Sequence, residues 1–183
     1  MSNNIWIIAI VVVVLLIFII MYNMMLKRRN KVKTAFSSLD VMLKKRYDIM
    51  PNLVSMVQKY MQHESDVLVK LTELREKAEK TNNINESIEL NKQIDGAMKQ
   101  LNVEVEGYPN LRASENFLHM QAVLNDIEEQ ISAARRTYNA HVEVYNTFIG
   151  MIPMNIFAAL FRFKQYEQFE ISNEERENQI WMK

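Results

Sequence analysis

Residues 5–21 form an unbroken apolar run of 17 residues, and Tyr22-Asn23-Met24-Met25-Leu26 extends it with a single side-chain amide. As a helix, residues 5–26 span roughly 33 Å, enough for the hydrocarbon core of a bilayer. A cleavable secretory signal would carry a basic residue before the run and a small-residue cleavage site after it. Ser2-Asn3-Asn4 has no basic side chain, and no A-x-A pattern follows. The expectation is an uncleaved transmembrane helix over residues 5–26, with residues 1–4 as a short tail ahead of it.

Flanking charge sets the expected orientation. Lys27, Arg28, Arg29, Lys31 and Lys33 follow the run at once, and no charged side chain precedes it. The C-terminal side is therefore expected in the cytoplasm and the N-terminus outside, at the cell membrane with a single pass. These five cations are the expected membrane-surface residues, each contributing on the order of 1 kcal/mol near an anionic leaflet. Trp6 and Tyr22 lie where interfacial aromatics belong. The formal net charge of zero conceals a split: residues 27–60 hold nine basic and two acidic residues, and residues 61–183 hold 13 basic and 20 acidic. Such a split suits orientation at an anionic membrane better than nucleic-acid binding, and no nucleic-acid partner is expected.

Beyond the anchor, turn formers are scarce, with three Gly and three Pro in 183 residues. From Val32 one apolar spacing, alternately four and three, runs for nearly fifty residues: Val32, Phe36, Leu39, Leu43, Arg46, Met50, Leu53, Val57, Tyr60, Glu64, Val67, Leu71, Leu74 and Ala78. That is a coiled-coil-like seam. Arg46 and Glu64 are its polar exceptions. Either they fix register or they snorkel to the seam edge, and snorkelling is the expected arrangement. Pro51 removes a backbone donor, so a kink is expected near residues 48–50; because the frame does not slip there, one kinked helix is expected rather than two antiparallel ones.

Thr81-Asn82-Asn83-Ile84-Asn85 is a polar break rich in capping residues, ahead of a shorter helix over about residues 86–103. Gly107-Tyr108-Pro109-Asn110 is the second break, followed by a long helix over about residues 111–150. Its seam reads Phe117, Met120, Leu124, Ile127, Ile131, Ala134, Tyr138, His141, Tyr145 and Phe148, and Pro153 closes the segment. The fold class expected is all-α: the N-terminal transmembrane helix, then an antiparallel bundle of three to four long helices with coiled-coil-like packing over residues 27–152. An aromatic amphipathic tail (153–171) and a polar C-terminus (172–183) complete the chain.

The segment Lys44-Lys45-Arg46-Tyr47-Asp48-Ile49-Met50-Pro51-Asn52-Leu53-Val54, followed by Tyr60 and His63-Glu64, resembles the central signature of LemA proteins. Phe117-Leu118, Gln121, Glu128, Ala134-Arg135, Tyr138-Asn139, Tyr145-Asn146, Pro153 and Asn155 continue the resemblance, and Tyr22-Asn23 fits upstream of it. Departures are Phe36, where Trp is common, and Met50, where an aliphatic residue is usual; both keep the seam apolar. The resemblance implies a bacterial, membrane-anchored antiparallel helical bundle with no established enzymatic activity and no catalytic residues to carry over. Relatives in that family include a protein of magnetosome membrane formation, which hints at membrane organisation.

Chemistry-bearing patterns are sparse. The chain has no Cys, which excludes disulfides, thiolate metal sites and cysteine nucleophiles. Three glycines supply no phosphate loop or nucleophile elbow, and His63, His119 and His141 form no H-E-x-x-H. No catalytic residue, cofactor or metal ligand is expected, and the chain is not expected to be an enzyme. Two features point instead to association. Tyr138-Asn139 and Tyr145-Asn146 lie seven residues apart on one helix face, where they either pack and satisfy one another or form a self-association surface. The tail carries Phe157, Leu160, Phe161 and Phe163 beside Arg162 and Lys164, a composition suited to subunit contact, lipid contact or capping of the bundle.

The function expected from these features is a membrane-anchored, self-associating helical scaffold that organises or shapes membrane, with the bilayer and further copies of itself as partners. The alternative is a sensor or adaptor relaying a signal to a cytoplasmic protein partner, with Pro51, Arg46 and Glu64 as a bistable element.

Overall fold

The structure is a computed structural model that describes residues 2–61 and 65–169, with side chains described from residue 6 onward. Every regular element among the described residues is helical. Helix α1 (Ser2–Gln58) runs 57 residues without a break, roughly 85 Å at the standard rise. Its residues 6–20 are exposed along their whole length. A buried stripe begins at Met21 and Met25 and continues through Val32, Leu39, Leu43, Arg46, Met50, Leu53 and Val57.

Three further long helices complete the bundle: α2 (Asp66–Lys80) and α5 (Glu115–Gly150) pack on that stripe and α3 (Ile84–Val105) packs on α2, with the single turn α4 (Pro109–Arg112) and the short α6 (Met154–Leu160) between and after them. Directions follow from the contacts. Phe148, Tyr138 and Gln130 of α5 meet Arg28, Phe36 and Lys45 of α1 in turn, so the two run antiparallel. Arg75 of α2 reaches back to Tyr47, and Ser65, just before α2, meets Glu104 near the end of α3. The result is an up-down-up-down bundle, as the helical spacing predicts.

The sequence seam does not continue on one helix, however. α1 ends at Gln58, Tyr60 is exposed, and α2 runs the opposite way, so Val67, Leu71, Leu74 and Ala78 are buried from a reversed helix. Coverage explains the reversal. The 36 residues of α5 shield α1 from about Arg28 to its end, and a straight continuation past Gln58 would have no apolar partner. Glu64 and His63 lie outside the described residues.

Pro51 sits inside α1 and does not end it. A proline there leaves the carbonyl of Tyr47, four residues earlier, without its helical donor. Arg75 Nε fills that vacancy from α2 at 3.0 Å. The defect in one helix thus becomes a tie to the next.

Arg46 does not snorkel, contrary to the sequence expectation. Its side chain is fully buried at the centre of the bundle. Nη1 donates to Asp95 at 2.6 Å and Glu128 at 2.9 Å, and Nη2 donates to Asn91 Oδ1 at 2.5 Å. Asn91 Oδ1 also accepts from the Tyr47 hydroxyl at 2.9 Å, while its amide donates to the Ser87 carbonyl. Arg135 of α5 closes the set on Asp95 at 2.9 Å. Burial opposes the charge on Arg46, but Glu128 and Asp95 more than offset it, so its pKa is raised. A cation committed to α3 and α5 at once fixes their register against α1.

Both breaks sit where capping chemistry places them. Asn83 accepts from the amides of Asn85 and Glu86 to start α3, slightly earlier than the spacing suggested. Pro109 opens α4, and Ser114 caps α5 by accepting from the Phe117 amide at 3.3 Å.

Candidate functional site

The distinctive geometry lies toward the apolar half of α1, where α5 finishes and the chain returns along it. After α6, residues 163–169 carry no regular secondary structure and lie against α5 as a strap. The two tyrosine–asparagine pairs hold it. Asn146 donates to the Tyr166 carbonyl at 2.8 Å and accepts from the Tyr166 amide at 3.1 Å. Asn139 makes the same exchange with Phe169, at 2.9 Å both ways. The Tyr145 hydroxyl donates to the Lys164 carbonyl and the Tyr138 hydroxyl to the Glu167 carbonyl, each at 3.0 Å.

The spacing has a simple cause. Seven residues of α-helix rise about 10.5 Å, and three residues of extended chain cover about 10 Å. A heptad on α5 therefore matches a three-residue step on an antiparallel strap. Each asparagine amide imitates one residue of a neighbouring β-strand, taking both the N–H and the C=O of a single strap residue. The side chains keep the same step, since Phe163, Tyr166 and Phe169 face inward. Phe169 meets the Tyr138 ring edge-on at 5.6 Å, and Tyr166 meets Tyr145 at 5.5 Å.

Of the alternatives left open in the sequence, these four side chains are engaged by the chain's own backbone. Every strap hydrogen bond they make goes to the strap's main chain, so the grip reads backbone rather than side-chain identity. The strap itself was not foreseen. Its signal was present as aromatic residues three apart, Phe163, Tyr166 and Phe169, a period that suits neither a helix nor a half-buried strand.

The apolar tail residues sit against the apolar half of α1. Phe157 packs edge-on to Phe18 at 4.7 Å, and Tyr22 meets Phe161 at 5.1 Å and Phe163 at 5.9 Å. Phe157 is half-buried and Phe163 buried, while Leu160 and Phe161 remain exposed. Around them Met151, Ile152 and Ile156 are exposed too, Ile152 to 84%. The turn between α5 and α6, together with α6 itself, thus presents apolar side chains beside the equally exposed apolar half of α1.

The five cations after the apolar run divide into two groups. Arg28 stacks over the Phe148 ring at 4.2 Å and Arg29 over Phe163 at 5.1 Å. Lys27, Lys31 and Lys33 are exposed. Burial pushes the Tyr138 and Tyr145 hydroxyls well above the ordinary phenol value, Tyr145 to about 12. That shift suits permanent hydrogen-bond donors and opposes a role as proton acceptor at neutral pH. Among the described residues, no three His, Cys, Asp or Glu side chains converge as a metal site, and His119 is exposed.

Fold and site together define an all-α helical bundle that carries an N-terminal helix long and apolar enough to cross a membrane. The chain belongs to the LemA family, which matches residues 35–181. It is similar to Protein LemA of Metamycoplasma hominis, 26% identical over 165 residues that cover 85% of this chain and 75% of the relative. It is also 34% identical over 74 residues to Magnetosome protein MamQ 2 of Paramagnetospirillum magneticum, and 33% over 73 residues to Magnetosome protein MamQ of Magnetospirillum gryphiswaldense. Each of those two matches covers 40% of this chain and 27% of the relative.

Proposed function

We propose that this protein is a membrane-anchored helical scaffold whose bundles associate on the cytoplasmic face and organise the membrane beneath them. In this reading the first half of α1 spans the bilayer with its N-terminus outside, and α6 enters the cytoplasmic leaflet beside it. The observation that carries it is the exposed apolar side chains of residues 6–20 of α1 together with Met151, Ile152, Ile156, Leu160 and Phe161, which the Phe157–Phe18 and Phe161–Tyr22 contacts hold beside them. A surface of that extent needs a cover, and residues 6–20 already call for hydrocarbon. Removing those last five side chains from water contributes roughly 1 kcal/mol each. Phe157 reaches Phe18, about one helical turn deeper than Tyr22, which is a shallow insertion of the interfacial kind. A wedge on one side of the anchor and in one leaflet is a physical means of shaping membrane. Similarity over part of the chain to two proteins named for the magnetosome is in keeping with it.

The absence of cysteine makes the test clean. Single Ile152→Cys and Leu160→Cys variants, carrying a polarity-sensitive fluorophore in vesicles, should report an apolar environment quenched by brominated acyl chains, with Lys70→Cys remaining aqueous. Blue-native electrophoresis should show assemblies. Water-exposed labels at residues 152 and 160 remove the wedge, and monomers alone remove the scaffold.

The adaptor reading draws on one observation, that every hydrogen bond from the tyrosine–asparagine pairs to the strap goes to its main chain. A partner's extended segment could replace the strap, and a specific partner recovered with the intact chain and lost on Asn139→Ala/Asn146→Ala would favour it.

A further inference from the structure

Beside the strap, five cations separated widely in sequence surround one open cleft of about 1000 Å³: Arg29 from α1, Lys77 and Lys80 from the end of α2, Arg162 at the entry to the strap and Lys164 within it. A single carboxylate, Glu86, lines the cleft, and it accepts a hydrogen bond from Thr81 Oγ1 at 2.5 Å. Lys80 has a distant exposed neighbour in Glu76 at 3.8 Å. Among the described residues, Arg29, Lys77, Arg162 and Lys164 have no carboxylate within ion-pair distance. Four cations with no ion-pair partner, facing one cleft that holds a single carboxylate, repel one another, and an anion seated among them reverses the sign of that interaction.

Two further observations point to a ligand. Arg162 holds a left-handed backbone, φ 57°, which a side chain with a Cβ adopts at a cost. That conformation turns the chain from α6 into the strap and leaves Arg162 on the cleft wall. Height is the second. Arg162 directly follows Phe161, which packs on Tyr22, and Arg29 lies two helical turns beyond Tyr22 on α1. The floor of the cleft therefore stands within about 10 Å of the interfacial aromatic layer, the height of a phospholipid headgroup. The amide side chains of the α2–α3 turn supply neutral donors and acceptors above it.

We propose that this cleft binds the phosphodiester of an anionic phospholipid, with Arg29, Arg162 and Lys164 at the phosphate and Lys77 and Lys80 supplying selectivity against zwitterionic headgroups. The inference rests on the membrane placement of this end of the bundle and adds the lipid class that it selects.

The test uses the full chain in detergent, titrated with phosphatidylglycerol or phosphatidylcholine, with bound lipid counted by native mass spectrometry. Phosphatidylglycerol should bind more tightly. Arg162→Gln/Lys164→Gln and, separately, Lys77→Gln/Lys80→Gln should each weaken it about tenfold. The second pair is exposed on α2, so its loss does not disturb the strap. Lys59→Gln/Lys70→Gln removes the same charge far from the anchor and should change binding less than twofold. Equal losses in all three variants, or no preference between the two lipids, overturn the proposal, because diffuse charge would then account for retention. Displacement of bound lipid by millimolar inorganic phosphate overturns the lipid assignment in favour of a soluble anion. Release of the unmodified chain from membranes by alkaline wash is a separate outcome: it defeats the membrane placement, and with it this inference, whatever the variants show.

Discussion

Replacing Asn139 and Asn146 together by alanine deletes four of the six hydrogen bonds between α5 and the strap. Were the strap to stay docked, four main-chain groups would lose their partners, at roughly 1–3 kcal/mol for each that is buried. The strap has a cheaper response, which is to peel away and hydrate, so the observable effect is capped by its docking free energy. Six hydrogen bonds at about 1 kcal/mol net and burial of Phe163, Tyr166 and Phe169 at about 2 kcal/mol each give roughly 12 kcal/mol. Ordering seven residues at about 1.4 kcal/mol each opposes this with roughly 10 kcal/mol. About 2 kcal/mol remains, which leaves the strap open some 3% of the time.

On those figures the double variant, losing about 4 kcal/mol of hydrogen bonding, releases the strap almost completely. Asn146→Ala alone, losing about 2 kcal/mol, brings it near balance. Trypsin cleavage after Lys164 reports the open fraction, because reclosure outpaces cleavage at low protease. The rate should rise about fifteen-fold for the single variant and about thirty-fold for the double. Asn139→Asp should behave at least as badly as alanine, since it sets a carboxylate oxygen against the Phe169 carbonyl that the amide now serves. Cleavage of the double variant within twofold of the wild-type rate would refute the assignment of these asparagines as the grip.

Three other outcomes follow from the same contacts. In a double-mutant cycle followed by denaturant unfolding, Arg75→Met should cost about 1–2 kcal/mol beside Pro51 and about 1 kcal/mol less in Pro51→Ala, where residue 51 again donates to the Tyr47 carbonyl; a coupling of zero removes the link. Asn91→Leu should destabilise by about 3 kcal/mol, more than Arg46→Met, because it strands the buried Arg46 and Tyr47 donors, whereas removing Arg46 leaves Asp95 with Arg135 and Glu128 near solvent; the opposite order in guanidinium melts would be inconsistent with this account. Tyr145 has a folded pKa above its unfolded value, so the stability it contributes is whole below pH 10 and is lost as pH rises through about 12; an ultraviolet titration should lose one late-ionising phenol in Tyr145→Phe.

The helical class, the breaks at residues 81–83 and 106–108 and the exposed apolar run were legible because each rests on local chemistry: spacing, capping residues, glycine and proline. The reversal after Gln58 was not. Val57 and Val67 keep the heptad count across it, so the pattern alone could not separate one long helix from two antiparallel ones. Partner length decided between them, and that is a property of the whole bundle. Arg46 was misread for a related reason. A lone arginine in a seam ordinarily reaches outward, and only the convergence of Asn91, Asp95 and Glu128 from two other helices makes burial the better solution. At the strap, the tyrosine–asparagine heptad was visible but its partner was not, since a match between a seven-residue helical repeat and a three-residue extended step appears only when both segments lie side by side.

The continuity of α1 bears on how the proposed scaffold would act. A bundle joined to its anchor by a loop could tumble, and no wedge near the membrane would keep a fixed relation to it. Here the apolar N-terminal segment and the first bundle helix are one α-helix, and Pro51, the natural place for a hinge, is braced by Arg75. One helix alone still permits rotation about its own axis. α6 removes that freedom, because Phe157 and Phe161 grip Phe18 and Tyr22 from one side only. Under the proposed membrane placement, the bundle therefore meets the bilayer at two points and presents one face in a defined direction. Any signal relay through α1 would have to bend a helix that is packed from Met21 to Val57, whereas the strap can open for a few kilocalories per mole. If this protein has a moving part, the strap is the place to look for it.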